Sequence, residues 1–417
     1  MFVRRIFAVF FISLSFILSC VNVSFSANIT IVHWQHHFEP RAKVVESLIK
    51  EFTQENPGIE VKFESIPYDT FFDKLVTSLS AGTGPDVFQI PVNILYQFVN
   101  QNLVLPIPPD LMPLSEIRNT FIPWTIRMSY INGKYWGFPT DVQPFMLFVN
   151  NKLLEDAGLN PAKAPKTWKE LEDMARKTTK FTGDKMVQAG LNVFGNAYHY
   201  YWTFVYQNVT KSVVDPKTLK VGYNSPEGYE AWQFLADLIL KYHVDDPTFL
   251  TNQDKFALGK AALDIHEAVY KGNLDMIAPN IKYNVYIPPT KTGKPSTVGT
   301  NWVYVVSSKT KNPNVAFKWA SYLTSEKAEK EWVIKTGSMP SRKTLLDDVS
   351  LQKDSNMIAI FKAIKFVRPL EDLDWDPAWE IREECFQNIV LKNIDVKKAV
   401  DLSAQKEEAL YSKKFQK

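Results

Sequence analysis

Ile29-Thr-Ile-Val-His-Trp34, Ile59-Glu-Val-Lys-Phe63 and Asp86-Val-Phe-Gln-Ile90 are three short β-type runs set about thirty residues apart. In the first, Ile29, Ile31 and His33 alternate with Thr30, Val32 and Trp34, the period-two pattern of a strand, and the second alternates as cleanly. Between them, Val44, Val45, Leu48, Ile49 and Phe52 recur at helical spacing until Pro57 and Gly58 stop the pattern. Phe71, Phe72, Leu75, Val76 and Leu79 mark a second helix, which ends at Gly82-Thr-Gly84-Pro85, where the third run begins. Strand and helix alternate three times, which predicts an α/β protein with a largely parallel sheet.

Farther along, Asn132-Gly133 predicts a type I′ hairpin turn between Met128-Ser-Tyr130 and Tyr135-Trp-Gly-Phe138, because both central residues need positive φ. Pro139 to Val149 reads as extended. Thr167-Trp-Lys-Glu170 is a capping box opening a helix through Leu171, Met174 and Ala175. Ser225-Pro226 opens another through Trp232, Leu235, Ala236 and Ile239, and Asn312-Pro313 a third through Ala316, Trp319, Ala320 and Leu323. There is no internal repeat and no low-complexity segment, which excludes solenoids.

The N-terminus carries Arg4 and Arg5 ahead of an apolar and serine run from Ile6 to Leu18, the order of a secretory leader. That run is shorter than the roughly 20 apolar residues of a membrane span, and no later stretch reaches that length, so the mature chain is expected to be soluble. Two outcomes stay open. Cleavage after Ser26, with Ser24 at the other position the peptidase reads, would start the mature chain at Ala27. Lipidation within Ile17-Leu-Ser-Cys20 would instead anchor it through Cys20, although Leu18 is bulky for that motif. Residues 1–26 hold two arginines and no acid, so their removal lowers the formal charge from +3 to about +1. A near-neutral chain without a long basic run gives no footing for nucleic acid. Cys385 is then the only cysteine, so the cores must hold without an intramolecular disulfide. About 390 mature residues exceed one typical domain, and two lobes are expected. With 11 Trp, 17 Tyr and 28 Phe, the chain is richer in aromatic rings than a core requires, and such rings suit the apolar faces of sugars or other flat ligands.

Taken together, Ala27 to Trp34, Phe52 to Val61 and Leu79 to Val87 resemble the opening of family 1 extracellular solute-binding proteins, the sugar-capturing components of ABC importers. Four later stretches extend the resemblance: Gly137-Phe-Pro139 to Asn151-Lys-Leu-Leu154, Pro165-Lys-Thr-Trp168, Phe256 to Ala262, and Thr297 to Trp302 followed by Lys311 to Phe317. The resemblance covers the mature chain. It implies the two-lobed type II periplasmic-binding-protein fold, each lobe a mostly parallel sheet flanked by helices, with ligand in the cleft between lobes and hinge closure around it. Crossings between lobes fall near 141–145, 298–303 and 341–346. The expected division is a leader over 1–26, an N-terminal lobe of 27–141 and 303–345, and a C-terminal lobe of 142–302 and 346–417. The implied function is reversible capture of a mono- or oligosaccharide, outside the cytoplasm or in the periplasm, and delivery to the transmembrane subunits of an ABC permease. No cofactor and no catalysis are expected, and the protein is expected to be a monomer.

A sugar site needs flat rings for ring faces and amides or carboxylates for hydroxyls, since an unpaired buried hydroxyl costs about 1–3 kcal/mol. Trp34 ends the first run, and ligands of α/β folds bind at the carboxyl ends of strands. Asn93 follows the third run at a position where similar proteins carry a polar sugar contact. Asp141 and Gln143 sit in the first crossing. Tyr198-His-Tyr-Tyr-Trp202 is the densest aromatic cluster, of which about two rings can face one way; Tyr198 and Trp202 are the candidates. His266 and Glu267 end a strand where the family's maltose binders place an aromatic platform, so the sequence departs from that pattern, with Tyr270 as the nearest ring. Asn301 and Trp302 lie in the second crossing and combine a platform with a two-sided amide. In Trp375-Asp376-Pro-Ala-Trp379 one tryptophan is expected at the cleft and the other in packing. Arg342 follows the third crossing, as a hydroxyl donor or a surface arginine.

Two other classes compete. A glycosidase could use Asp374 with Asp376, or Glu380 with Glu384, but the second pair has the i, i+4 spacing of a solvated helix face. The chain lacks a Walker loop, a Gly-x-Ser-x-Gly elbow, a zinc helix and a dinucleotide fingerprint. Metal capture could use His33, His36, His37 and Glu39, which lie close together in sequence.

Overall fold

The computed structural model describes residues 28–194, 196–215 and 218–415, with the side chains of Trp375 and Asp376 outside that description. The leader reading, with its Ser26 and Cys20 alternatives, lies outside the described residues.

The opening stretch folds as the alternation predicts. Strand β1 (Ile29–His36) is followed by helix α1 (Glu39–Glu55), β2 (Ile59–Ile66), α2 (Tyr68–Ala81) and β3 (Val87–Pro91). β1 pairs in parallel with β2 along its whole length and with β3 at His33↔Val87 and Trp34↔Phe88. Gly82, in the left-handed region at φ 72°, ends α2, its N–H bonding back to the last turn. The Asn132-Gly133 turn forms with φ 51° and 78°, but it joins Tyr130–Ile131 to Lys134–Tyr135 only. Phe138 is not part of the hairpin: it starts the 13-residue strand β4 (Phe138–Asn150) and pairs with Tyr304.

β4 and β7 (Thr297–Ser307) are the long strands that join the two halves of the molecule. β7 runs antiparallel to β3 from Trp302↔Pro91 to Val306↔Val87, and antiparallel to β4 from Gly299↔Pro144 to Tyr304↔Phe138. Beyond Pro144, β4 pairs with β6 (Ala261–Glu267), again antiparallel, and β6 pairs in parallel with β5 (Lys185–Leu191). The sheet is therefore mixed, which corrects the expectation of mostly parallel lobes. A strand entering from the other half arrives from the opposite direction to the local strand-helix-strand units, and the opening pattern carries no trace of it.

Side chains on these strands sort by parity into opposite cores. On β4, Phe145, Leu147 and Val149 join the core with Trp202 and Trp232, whereas Met146 and Phe148 face that with Phe256 and Tyr270. On β7, Tyr304 and Val306 pack with Phe52 and Trp319, whereas Val303 and Val305 pack with Phe71 and Phe88. Thr167 and Glu170 make the full reciprocal capping box, and Ser225 caps its helix at Gly228. The aromatic run 198–202 lies on helix α3 (Ala197–Asn208), so its side chains fan around a helix axis.

The chain then returns to the second half. Met339–Pro340 pairs with β4 at Val142 and Asp141. Arg382, fully buried on a helix over Trp375–Val390, bonds Asp372 at 2.8 Å and Glu407 at 2.5 Å; Glu407 lies on the last helix, Val396–Phe415. Tyr223 and Tyr411 also donate to Glu407 at 2.8 and 2.6 Å, satisfying a buried carboxylate that would otherwise be costly.

Candidate binding cleft

Where β4 and β7 pass between the halves, their register breaks. Asn301 faces Val142 and Val303 faces Pro139, so Thr140 and Asp141 together stand opposite the single Trp302. Such a bulge re-aims side chains. Asp141 and Trp302 both line a cavity of about 560 Å³, within the usual range for small-molecule sites.

One wall of the cavity comes from the first half. His36 ends β1, His37 and Phe38 follow it, Arg41 stands on the first turn of α1, Tyr68 opens α2 and Pro91 ends β3. The facing wall brings Tyr198 from α3, His266 and Glu267 from the end of β6, Tyr270 and Asn273 from the helix over Tyr270–Ile277, and Trp379. Asp141, Gln143, Thr300 and Trp302 form the floor between them.

The floor is tied by charge. Arg41 Nη2 donates to Asp141 Oδ2 at 2.8 Å and to Ser338 Oγ at 3.4 Å, while Nη1 donates to Gln89 Oε1 at 3.3 Å. Gln143 Nε2 donates to the same Asp141 oxygen at 2.8 Å, and its Oε1 accepts from the Val269 amide at 3.0 Å. Arg41, Asp141 and Gln143 thus link α1 of the first half to the 270–277 helix of the second. Burial, reinforced by the Asp141 carboxylate, pushes the Glu267 carboxyl up to about 7. Burial lowers His266 to about 3, and burial with the charge of Arg41 lowers His36 well below its ordinary value. Both imidazoles are therefore neutral near pH 7.

Aromatic rings supply the rest. Trp302 lies 4.3 Å from His36 at 31° and 6.5 Å from Phe72 at 24°. His266 stacks on Tyr270 at 4.2 Å and 12°, and Tyr198 lies 5.5 Å from Trp379. Tyr270 is held in place by donating to both Asp254 oxygens at 2.8 Å. Convergent rings, neutral imidazoles and carboxyls can hold a polyhydroxylated ligand, with ring faces stacked and hydroxyl edges bonded.

The structure brings eight candidates together at this cavity: Asp141, Gln143, Tyr198, His266, Glu267, Tyr270, Trp302 and Trp379. Five lie elsewhere. Trp34 is buried against Ile66, Phe71 and Leu75 with Lys74 Nζ 4.6 Å from its ring, because β1 continues two residues beyond it to His36. Asn93 is buried in the turn Val92–Ile94. Trp202 points into the second half's core, and Asn301, on the opposite face from Trp302, donates to the Thr125 carbonyl at 3.2 Å. Arg342 donates to the Thr324 carbonyl at 2.6 Å and lies over Phe121. For Trp375 and Asp376 the side chains are outside the described residues.

Sequence reasoning did not single out Phe38, Arg41, Tyr68, Asp254 or Thr300 as ligand-facing, and considered His36 and His37 only for metal. The strand pattern could have located His36, since Gln35 and His36 prolong the alternation, but nothing in the sequence signals that Arg41 turns inward. Of the histidine group, His33 is buried and accepts from Trp319 Nε1 at 3.3 Å, away from the cavity. Among the described residues no three metal-ligating side chains are placed to share an ion. Asp374 accepts from Gln97 and Lys414, and Glu384 from Lys406, so those carboxylates are engaged away from the cavity.

The family model described as bacterial extracellular solute-binding protein matches residues 39–330. The chain belongs to that family. A solute-binding protein of this kind is similar to a binding protein of Brucella abortus (strain 2308), 28% identical over 313 residues that make up 72% of each chain. It is also similar to the galactooligosaccharide-binding protein of Bacillus subtilis (strain 168), 24% identical over 90% of this chain and 88% of the relative. Among solved structures, the ABC transporter solute-binding protein from Thermotoga lettingae bound with α-D-tagatose superposes with a TM-score of 0.79 at 26% identity. That match covers 92% of this solute-binding protein and 99% of its neighbour. The maltose/maltodextrin-binding domain from Bdellovibrio bacteriovorus bound to maltotriose has a TM-score of 0.76 at 19% identity, over 92% and 99%, a likeness of fold. The solute-binding protein thus has the two-lobed α/β architecture, with the cavity between its lobes. Among its described residues no helix is long and apolar enough to cross a membrane.

Proposed function

We propose that the protein reversibly captures a sugar of one or a few rings in the interlobe cavity and delivers it to the membrane subunits of an ABC permease, performing no chemistry itself. The observation that carries this reading is the cavity wall, in which aromatic rings and hydrogen-bonding side chains from both lobes face one space of about 560 Å³. Galactooligosaccharide-binding and tagatose-bound relatives support a carbohydrate ligand. On this reading Trp302, Tyr198 and Trp379 offer ring faces, while Asp141, Gln143, His266 and Glu267 bond hydroxyls and Tyr270 buttresses His266. Trp34, Asn93, Trp202, Asn301 and Arg342 support the lobes. The N-terminal lobe comprises 27–141 and 303–345 and the C-terminal lobe 142–302 and 346–417, rotating about the β4 and β7 crossings. The chain acts outside the cytoplasmic membrane as a monomer, released after Ser26 or held through Cys20.

Thermal shift against a panel of mono- and oligosaccharides tests the reading. A ligand at 100 times its Kd stabilises the folded state by about 2.7 kcal/mol. No shift with any carbohydrate, together with a shift for an amino acid, polyamine or metal ion, would reject it. Accumulation of cleaved sugar at a catalytic rate would reject the absence of chemistry.

A further inference from the structure

The charges in the cavity do not balance. Asp141, Asp254 and Glu267 line it, and the one guanidinium or ammonium among its lining residues is Arg41. Arg41 is already committed: its 2.8 Å pair is with Asp141, and its remaining bonds go to Gln89 and Ser338. Asp254 accepts twice from the Tyr270 hydroxyl. Glu267 has no ion pair among the described residues; it stands close enough to Asp141 to feel that negative charge, which the more distant charge of Arg41 only partly offsets. Of the three imidazoles lining the cavity, His36 and His266 are kept neutral by burial, and His37 is engaged by Ser65 at 2.8 Å and faces Glu39 at 3.9 Å.

Glu267 lines the cavity partly exposed, and above its raised value of about 7 it is a carboxylate with which a ligand's cation can pair. The cavity that Glu267 lines is also lined by Tyr68, Tyr198, Trp302 and Trp379, and the faces of such rings attract a desolvated cation. A neutral hydroxyl can donate to Glu267 but brings no charge to pair with it.

Resting on the sugar-capture reading, we propose that the preferred ligand is a sugar carrying a protonated amino group, and that Glu267, at the end of β6, is the residue that selects it. The ammonium pairs with Glu267 while ring hydroxyls are shared among Gln143, His36 and His266. The discrimination comes from an ion pair that no neutral competitor can make.

The test is isothermal titration of the full-length exported protein at pH 7.5 with matched sugars differing at one substituent: glucosamine against glucose and N-acetylglucosamine, galactosamine against galactose, mannosamine against mannose, and the β-1,4 disaccharide of glucosamine against cellobiose. At least one amine should bind tenfold or more tightly than its hydroxyl and N-acetyl counterparts, and the ratio should shrink as salt rises. In Glu267→Gln, with folding verified by circular dichroism and thermal unfolding, that ratio should fall to near one. Binding of sugars with no amine favoured in any set overturns the proposal and leaves sugar capture standing. An amine preference that survives in Glu267→Gln overturns the role of Glu267. Absence of binding by every sugar overturns both readings together. The wild-type ratios decide the ligand class even if the variant fails to fold.

Discussion

Arg41 and Asp141 form an ion pair at 2.8 Å in which both side chains are about 95% removed from solvent, joining the first turn of α1 to the bulge where β4 crosses between the lobes. The pair is shared with Gln143, whose other end holds the Val269 amide, so one charge contact positions both lobes around the cavity.

Arg41→Ala leaves Asp141 buried without its cation and should cost about 3–5 kcal/mol in urea unfolding. An Arg41→Met, Asp141→Leu double variant removes both charges and should recover most of that loss. Equal instability of the single and double variants would show that packing by the arginine stem, not charge, is what matters.

Two tryptophans should separate stability from affinity. Trp34 is packed among Ile66, Phe71 and Leu75, so Trp34→Ala should cost about 3–5 kcal/mol of stability and leave the Kd of the folded protein nearly unchanged. Trp302 lines the cavity, and Trp302→Ala should weaken sugar binding tenfold or more, about 1.4 kcal/mol. Titration calorimetry beside chemical unfolding reads both quantities on each variant.

Glu329 gives a pH dependence of known sign. Its buried carboxyl accepts from the Ser341 amide at 2.8 Å, the Ser341 hydroxyl at 2.5 Å and the Arg342 amide at 2.9 Å, and burial raises it to about 8. The folded state then holds a proton that the unfolded chain, with its ordinary value of about 4.3, has released. This contribution to stability is fully present below about pH 4.3 and declines as pH rises toward 8, by at most about 1.4 kcal/mol per pH unit. Glu329→Gln should flatten the stability profile between pH 5 and 8 relative to wild type; parallel profiles would refute the assignment.

Gly272 sits against the end of the helix over Glu326–Thr336, where a Cβ would lie 2.7 Å from the Thr336 carbonyl oxygen. Because the contact joins the helix over Tyr270–Ile277 to the end of the helix over Glu326–Thr336, Gly272→Ala must part them locally. The expected cost is about 1–3 kcal/mol of stability, with a change in radius of gyration by small-angle scattering. An unaltered melting curve and scattering profile would mean the contact yields without cost.

Cys385 is 2% exposed and burial pushes its thiol up to about 12. A thiol reagent at pH 8 should label Cys385 only after denaturant is added, as read by peptide mass. Labelling of the native protein on the timescale of the unfolded chain would contradict its burial.

Much of the architecture was legible in the residues. Period-two runs at Ile29 and Ile59, helical spacing from Val44 and Phe71, the Thr167 capping box and the Asn132-Gly133 turn act within a few residues, and each formed. Asp141, Gln143 and Trp302 were also within reach, because polar and aromatic side chains in an extended crossing have no local packing purpose. Trp34 and Trp202 misled, since an aromatic residue at a strand end or in a helical run looks the same whether it faces ligand or core. Which it does depends on where the strand stops, and on which side of the helix another part of the chain is packed.

The sequence by itself determined an α/β protein of two lobes and the order of its opening strands and helices, because propensity and periodicity are local. Only the tertiary structure decided that the sheet is mixed, that Arg41 turns inward to Asp141 and that Glu267 lines the cavity with no ion pair among the described residues. Those facts come from pairings across 100 residues or more, such as Arg41 with Asp141 and Gln143 with Val269. Strand direction, burial and charge balance at such a meeting are properties of the assembled lobes, and no local pattern encodes them.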